Sequence, residues 1–206
     1  MSAPETSPDD VIHFWLGDLS RPGADPLANA ARWWKKDEAF DREIRERFLG
    51  TLERGVRGEL ASWESSPRGR LALVLLYDQL SRNMFRGTAR AFAQDPLARS
   101  LATRAFAAGD DRVLEPIETS FFLMPFMHAE DVELQRRARD GFAKLRDATP
   151  ASEEKLRANF ANSVGYAEQH QAIIERFGRF PHRNAILGRA STPEEAEFLK
   201  QPGSSF

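Results

Sequence analysis

The sequence of 206 residues contains no cysteine, which excludes disulfide bonds, thiolate zinc sites, iron–sulfur clusters and a cysteine nucleophile. It also lacks a long apolar run, because its longest aliphatic stretch, residues 71–77, is far too short to span a bilayer. The first ten residues include no lysine or arginine, so no targeting leader is expected. These absences predict a cytoplasmic protein with no role at a membrane.

A charge excess of either sign is missing as well. The 29 Lys and Arg residues nearly balance 31 Asp and Glu residues, which gives a net charge of -2 and excludes a general attraction to DNA. The compact motifs of P-loops, dinucleotide-binding turns, serine-hydrolase elbows and HExxH metalloproteases are all absent. His128, Asp131, His170 and His182 follow no recognised metal-ligand spacing, so neither a metal nor a cofactor is predicted.

The residues that are present predict an all-α protein. Apolar residues recur at helical spacing, and proline follows a capping residue in pairs such as Ser66-Pro67 and Thr192-Pro193. Ser191 and Thr192 both satisfy the spacing of a capping box, so the last helix has two candidate N-caps. We predict about eight helices in antiparallel hairpins, in one domain over 1–206 with a weaker boundary near 149–152. The predicted helices span 9–16, 37–57, 67–85, 95–108, 115–124, 130–147, 151–177 and 193–200.

Three polar clusters are candidates for chemistry. In the first, Asp78, Arg82 and Arg86 follow i, i+4, i+8 spacing on a buried helix, with Gln79 and Asn83 in the adjacent row. This stripe is either a structural ion pair or a site for an anion, which the guanidinium fork fits well.

In the second cluster an apolar run ends in His128, Glu130 and Asp131. His128 has a suitable pKa for a general base, and either acid could orient it. The two acids also suit a helix N-terminus, without any catalytic role.

The third cluster is a positive segment over 176–193, which has four arginines, one histidine and no acid. Gly178 is typical of a helix stop. The segment is interpreted as a rigid closing loop, as an anion-binding loop or, least of all, as a single-stranded RNA binder.

The sequence resembles the bacterial family of unknown function called DUF924 from about Val11 to Leu199. The resemblance lies in the segments Phe14-Trp15-Leu16-Gly17, Trp33-Trp34, Leu76-Tyr77-Asp78-Gln79-Leu80-Ser81-Arg82-Asn83, Met124-Pro125, His128-Ala129-Glu130-Asp131 and Arg176-Phe177-Gly178-Arg179-Phe180-Pro181-His182-Arg183-Asn184. It implies an all-α fold similar to tetratricopeptide-like helical stacks, and it assigns no biochemical role. Ser81 and Ala129 stand where the family usually has proline and serine, so no serine nucleophile is available at the second position.

Three functions remain open at this point. Arginines outnumber the acids named beside them, which favours binding of a small phosphate- or carboxylate-bearing ligand. A hydrolase or transferase with His128 as base is the second hypothesis, and a scaffold that binds a partner peptide through an exposed Trp33–Trp34 pair is the third. No coiled-coil seam indicates an oligomer. The candidate catalytic residues are His128 and Asp131, and the candidate ligand-binding residues are Asp78, Gln79, Arg82, Asn83, Arg86, Glu130, His170, Arg179, His182, Arg183 and Asn184.

Overall fold

The computed structural model describes residues 5–205, and within that range it forms helices and no β-strand. The predicted all-α fold is therefore confirmed. Counting 67–84 as one continuous helix, the described residues form nine helical segments, one more than expected, because a short helix at 30–33 was not predicted. The elements are α1 (Pro8–Leu16), α2 (Ala30–Trp33), α3 (Glu38–Val56), α4 (Pro67–Val74), a π-helical segment (Leu75–Leu80), α5 (Ser81–Met84), α6 (Asp95–Ala108), α7 (Pro116–Met127), α8 (Val132–Ala148), α9 (Glu154–Phe177) and α10 (Pro193–Phe198).

The predicted helix starts are formed by the expected capping chemistry. The Ser66 hydroxyl accepts a hydrogen bond from the Gly69 amide at 3.1 Å, with proline in the first turn of α4. At α10 the N-cap is Thr192, which forms a reciprocal capping box with Glu195. Because capping satisfies amides that lack intrahelical partners, these local pairs fix where each helix begins.

The continuous helix formed by α4, the π-helical segment and α5 runs through the centre of the protein. Residues 71–81 on it are all buried, including Leu71, Leu75 and Leu76, as expected for a buried helix. It packs against α1, α6 and α7. The π-helical segment was not predicted. It carries Asp78 and Gln79, and such wider turns often occur at functional sites.

Helices α7, α8 and α9 pack in sequence order on one side of the central helix. The predicted end of α7 at residue 124 is wrong, because the helix continues through Pro125 for part of another turn. Gly141 of α8 lies where a Cβ atom would overlap the Leu123 side chain, so the absence of a side chain lets α7 and α8 approach closely. The core also continues across 149–152, since Phe142 and Phe160 belong to the same apolar cluster.

The expected exposed tryptophan pair is not formed. Trp33 is buried, and its indole N–H donates to the Trp15 carbonyl at 2.8 Å, whereas Trp34 is 62% exposed. An indole that packs in the core and satisfies its own donor is a structural residue. Trp33 is thus unavailable as an anchor for a partner peptide. Within residues 5–205, no helix has the length and apolar content that crossing a membrane requires.

Candidate active site

The centre of the candidate site is a histidine–aspartate pair. His128 caps the C-terminus of α7, and its Nδ1 lies 2.7 Å from Oδ1 of Asp78. Asp78 is completely buried, and its second oxygen accepts a hydrogen bond from the Gln79 side chain at 2.6 Å. The wider turn of the π-helical segment and the end of α7 therefore bring together two predicted residues that are 50 positions apart.

Two arginines and a second aspartate extend this pair into a network. Arg82 Nη2 lies 3.2 Å from Asp78 Oδ1 and 2.9 Å from Asp95 Oδ1. Arg183 Nη1 lies 3.6 Å from the other Asp95 oxygen and donates to the His128 carbonyl at 3.1 Å. Asp95 was missed as a site residue, because its position before a proline indicated only a helix start. Nothing in the local sequence shows that its side chain meets Arg82.

The guanidinium group of Arg183 contacts two aromatic rings. Its central carbon lies 4.7 Å from the Phe92 ring centroid and 4.3 Å from the Phe180 centroid. Arg183 is 6% exposed, and burial together with the nearby Arg82 lowers its pKa to about 10. Cation–π contacts with two rings favour one orientation for this cation at the site.

The electrostatics of the pair favour an ionised aspartate and a neutral histidine. Burial lowers the pKa of His128 below its ordinary value, and the positive charge of Arg82 adds to this effect. Burial alone would raise the pKa of Asp78, but His128 and Arg82 outweigh it and hold that pKa below its usual range. An ionised Asp78 accepts a hydrogen bond from the protonated Nδ1 of His128. The lone pair of the neutral ring is then on Nε2.

His128, Asp95 and Arg183 line an open cavity of about 270 Å³. Nε2 of His128 has no hydrogen-bond partner among residues 5–205. The cavity volume lies just below the range of about 300–1,000 Å³ that is typical of small-molecule sites, so it suits a small molecule. The remaining lining residues are Ala89, Phe92, Ala93, Pro96, Arg99, Ala129, Glu130 and Leu187.

The other predicted residues of the first cluster lie elsewhere. The Asn83 side chain donates to Asp41 of α3 at 2.7 Å, and Arg86 forms two hydrogen bonds of 2.7 and 2.9 Å with the same carboxylate. The predicted stripe through Arg86 is wrong, because α5 ends at Met84 and Arg86 lies beyond it. Asn83 and Arg86 thus connect the central helix to α3.

Two of the four arginines in the positive segment over 176–193 bind the C-terminal helix α10. Arg179 binds both carboxylate oxygens of Glu195 at 2.6 and 2.8 Å, and Asn184 donates to Glu195 at 3.3 Å. Arg176 pairs with Glu194 of α10. The acids absent from the segment itself are supplied by α10 for these two arginines, by Asp95 of α6 for Arg183 and by Glu130 for Arg189.

These contacts correct the expectation of an arginine excess. Each of the five arginines that suggested an uncompensated charge has a carboxylate within 4 Å. Their balance of charge consequently requires no bound anion. The five are Arg82, Arg86, Arg176, Arg179 and Arg183.

The acids that follow His128 take structural positions. Asp131 caps α8 by accepting from the Leu134 amide at 3.0 Å, so Asp78 and not Asp131 orients the histidine. Glu130 binds Arg189 through both oxygens, at 2.7 and 2.8 Å, and accepts from the Phe180 amide. The helix-capping interpretation of Asp131 thus describes the geometry, although Glu130 still lines the cavity.

Two further predicted histidines lie behind the cavity. The His170 ring centroid is 6.3 Å from that of His128, and its Nδ1 lies 2.8 Å from the Tyr166 carbonyl oxygen. Burial lowers the pKa of His170 to about 3 and that of His182 to about 4, so both rings are neutral near pH 7. Among residues 5–205, no group of three or more potential side-chain ligands is arranged to hold a metal ion.

The fold and site define an all-α protein with a buried Asp–His–Arg network at a small cavity. The chain belongs to the family described as bacterial protein of unknown function (DUF924), whose model matches residues 11–203. It is similar to the solved structure of the protein of unknown function ATU0120 from Agrobacterium tumefaciens. The two chains share 39% sequence identity and a TM-score of 0.78, over 94% of this chain and 96% of that one. None of the curated proteins matches the chain.

Proposed function

We propose that this protein is an enzyme in which His128 acts as a general base on a small molecule bound in the cavity. The observation that carries the proposal is the 2.7 Å contact between His128 Nδ1 and the buried Asp78 carboxylate at the cavity wall. A carboxylate on Nδ1 fixes the tautomer and orientation of the imidazole and stabilises the imidazolium that forms when Nε2 takes a proton.

The neighbouring arginines support the same role. Arg82 favours the ionised form of Asp78 and the neutral form of His128, which is the pair of states that a base requires. Arg183 is a fixed cation at the cavity and suits a group on which negative charge develops during reaction. A substrate with a carboxylate, ester or phosphate group fits this set of charges.

The reaction class that fits is hydrolysis or group transfer by direct attack of water or a substrate hydroxyl. Ala129, next to the base, has no nucleophilic atom. Ser81 is buried, and its hydroxyl donates to the Tyr77 carbonyl at 2.6 Å. A covalent serine intermediate is therefore not part of the proposal, and His128 would activate the attacking oxygen by removing its proton.

The test compares wild type with His128→Asn on p-nitrophenyl acetate and p-nitrophenyl phosphate. We expect turnover by wild type and a loss of about 100-fold or more in the variant, the usual contribution of a general base. His13→Asn is the matched control, since His13 is a partly exposed histidine on α1. Equal turnover in wild type and His128→Asn, with both folded by circular dichroism, would contradict the proposal.

The second candidate function is anion binding without a reaction. It is favoured by the contacts of Arg183 with the Phe92 and Phe180 rings, which orient the guanidinium group at the cavity. A thermal-shift experiment with phenyl phosphate at constant ionic strength tests it, because a ligand at 100 times its Kd adds about 2.7 kcal/mol of stability. Stabilisation that is lost in Arg183→Met, together with turnover unaffected by His128→Asn, would favour this candidate over the enzyme.

A further inference from the structure

Arg99 is a cation on the cavity wall that neither the sequence motifs nor the Asp78–His128 network accounts for. It lies on α6 one turn after Asp95, is partly exposed and lines the cavity together with His128. Within residues 5–205, the Arg99 side chain forms no ion pair and no hydrogen bond. The Thr103 hydroxyl donates to the backbone carbonyl of Arg99 and not to its side chain. The donors of the Arg99 side chain are therefore available to an anion in the cavity, because the guanidinium fork matches the geometry of carboxylate and phosphate groups.

The expected intrahelical partner of Arg99 is engaged elsewhere. Acidic and basic residues at i and i+4 on a helix usually pair, which would join Asp95 to Arg99. Instead, the two Asp95 oxygens are directed to Arg82 at 2.9 Å and Arg183 at 3.6 Å. Glu130, the other acid lining the cavity, is held by Arg189 through both of its oxygens.

The charges around the cavity indicate that its ligand is negatively charged. The cavity and the residues directly paired behind it contain three carboxylates and four guanidinium groups, with His128 neutral. All but one of these guanidinium groups have a carboxylate partner within 4 Å in the described part of the chain, and the exception is Arg99. The carboxylates are Asp78, Asp95 and Glu130, and the guanidinium groups are Arg82, Arg99, Arg183 and Arg189.

We propose that Arg99 binds the anionic group of the substrate and makes the cavity favour small anions with an apolar body over neutral molecules of the same shape. The inference rests on the proposed function in taking the cavity as the substrate site. The apolar body has matching surface, because Phe92, Pro96 and Leu187 line the same cavity and Leu187 is 37% exposed. Arg99 then holds the substrate in the ground state, whereas His128 acts on its reacting group.

The test measures binding of hexanoate and benzoate by NMR titration at constant ionic strength, with hexanamide and benzamide as neutral counterparts. We expect wild type to bind the carboxylates saturably and more tightly than the amides. In Arg99→Gln the affinity for the carboxylates should fall about 10- to 100-fold, the factor for losing a charge-assisted hydrogen bond, while affinity for the amides stays the same. Arg104→Gln is the matched control, because Arg104 lies on the same helix and pairs with Glu64 outside the cavity.

Unchanged carboxylate binding in Arg99→Gln would overturn the proposal, and so would the absence of saturable binding by wild type. His128→Asn separates this inference from the proposed reaction. If carboxylate binding depends on Arg99 but turnover does not depend on His128, the reaction is wrong and the anion site stands. If turnover depends on His128 but carboxylate binding is indifferent to Arg99, only the anion site is wrong.

Discussion

Replacing Asp78 by asparagine tests the network at its most buried charge. The carboxylate accepts from His128 at 2.7 Å, from Gln79 at 2.6 Å and from Arg82 at 3.2 Å, with no exposure to solvent. An amide keeps the shape but has one acceptor oxygen, so its NH2 group faces at least one of these donors. Breaking a buried charged network in this way costs about 3–5 kcal/mol.

The assay is thermal unfolding followed by circular dichroism. For a protein of this size, 1 kcal/mol shifts Tm by about 2–4 °C, so Asp78→Asn should lower Tm by roughly 6–20 °C. Asp147→Asn is the matched control, because Asp147 is 62% exposed and pairs only with the adjacent Arg146 in the described chain. We expect no measurable change there. An Asp78→Asn protein as stable as wild type would refute the reasoning, since it would mean that the three donors do not depend on the negative charge.

Three further predictions concern other parts of the molecule. The folded pKa of His170, about 3, lies below its ordinary 6.5, so the stability that the neutral ring contributes is complete above pH 6.5 and is lost as pH falls towards 3. Wild type should therefore lose about 2–3 kcal/mol more than His170→Gln by pH 4.5 in urea unfolding. Gly141→Ala should destabilise the protein by about 1–3 kcal/mol through overlap with α7. Arg179→Met should speed amide hydrogen exchange in α10 but not in the central helix, because it removes both contacts to the Glu195 carboxylate.

Each of these predictions has its own control. Parallel pH profiles of wild type and His170→Gln would show that the ring does not titrate as argued. Gly165→Ala, in α9 with open space around the added methyl group, should stabilise by about 0.5–1 kcal/mol, so equal effects at both glycines would contradict the packing argument. Unchanged exchange in α10 after Arg179→Met would mean that the remaining contacts hold this helix without the Arg179–Glu195 pair.

The fold could be predicted because its signals are local. Ser66 and Thr192 mark helix starts through contacts within four residues, and apolar spacing marks the faces. The exceptions involve longer-range effects. Trp33 was expected to be exposed beside Trp34, but its indole N–H donates to the carbonyl of a residue 18 positions away. Helix α7 continues through Pro125 because burial of this segment outweighs the tendency of proline to end a helix.

Most residues of the candidate site could be named from the sequence, but Asp95 and the pairing of the side chains could not. Asp78, Arg82, His128 and Arg183 were all named from sequence, and they meet in the network. Either Glu130 or Asp131 was a candidate to orient His128, with a helix N-terminus as the alternative role for both. Asp131 is the N-cap of α8, and the orienting acid is Asp78 from a distant segment. The charge excess was an artefact of counting neighbours in sequence, since the compensating carboxylates come from α3, α6 and α10.

The way the network is assembled has a consequence for the order of folding. Its five side chains come from four segments, near residues 78–82, 95, 128 and 183, whereas α8 and α9 pair across a short connection. Contacts between segments far apart in sequence carry the larger loop-closure entropy, so they form after a local helical hairpin. The NMR chemical shift of His128 is thus expected to reach its native value only when all four segments have come together. During refolding, the helical circular dichroism signal should recover before that shift does.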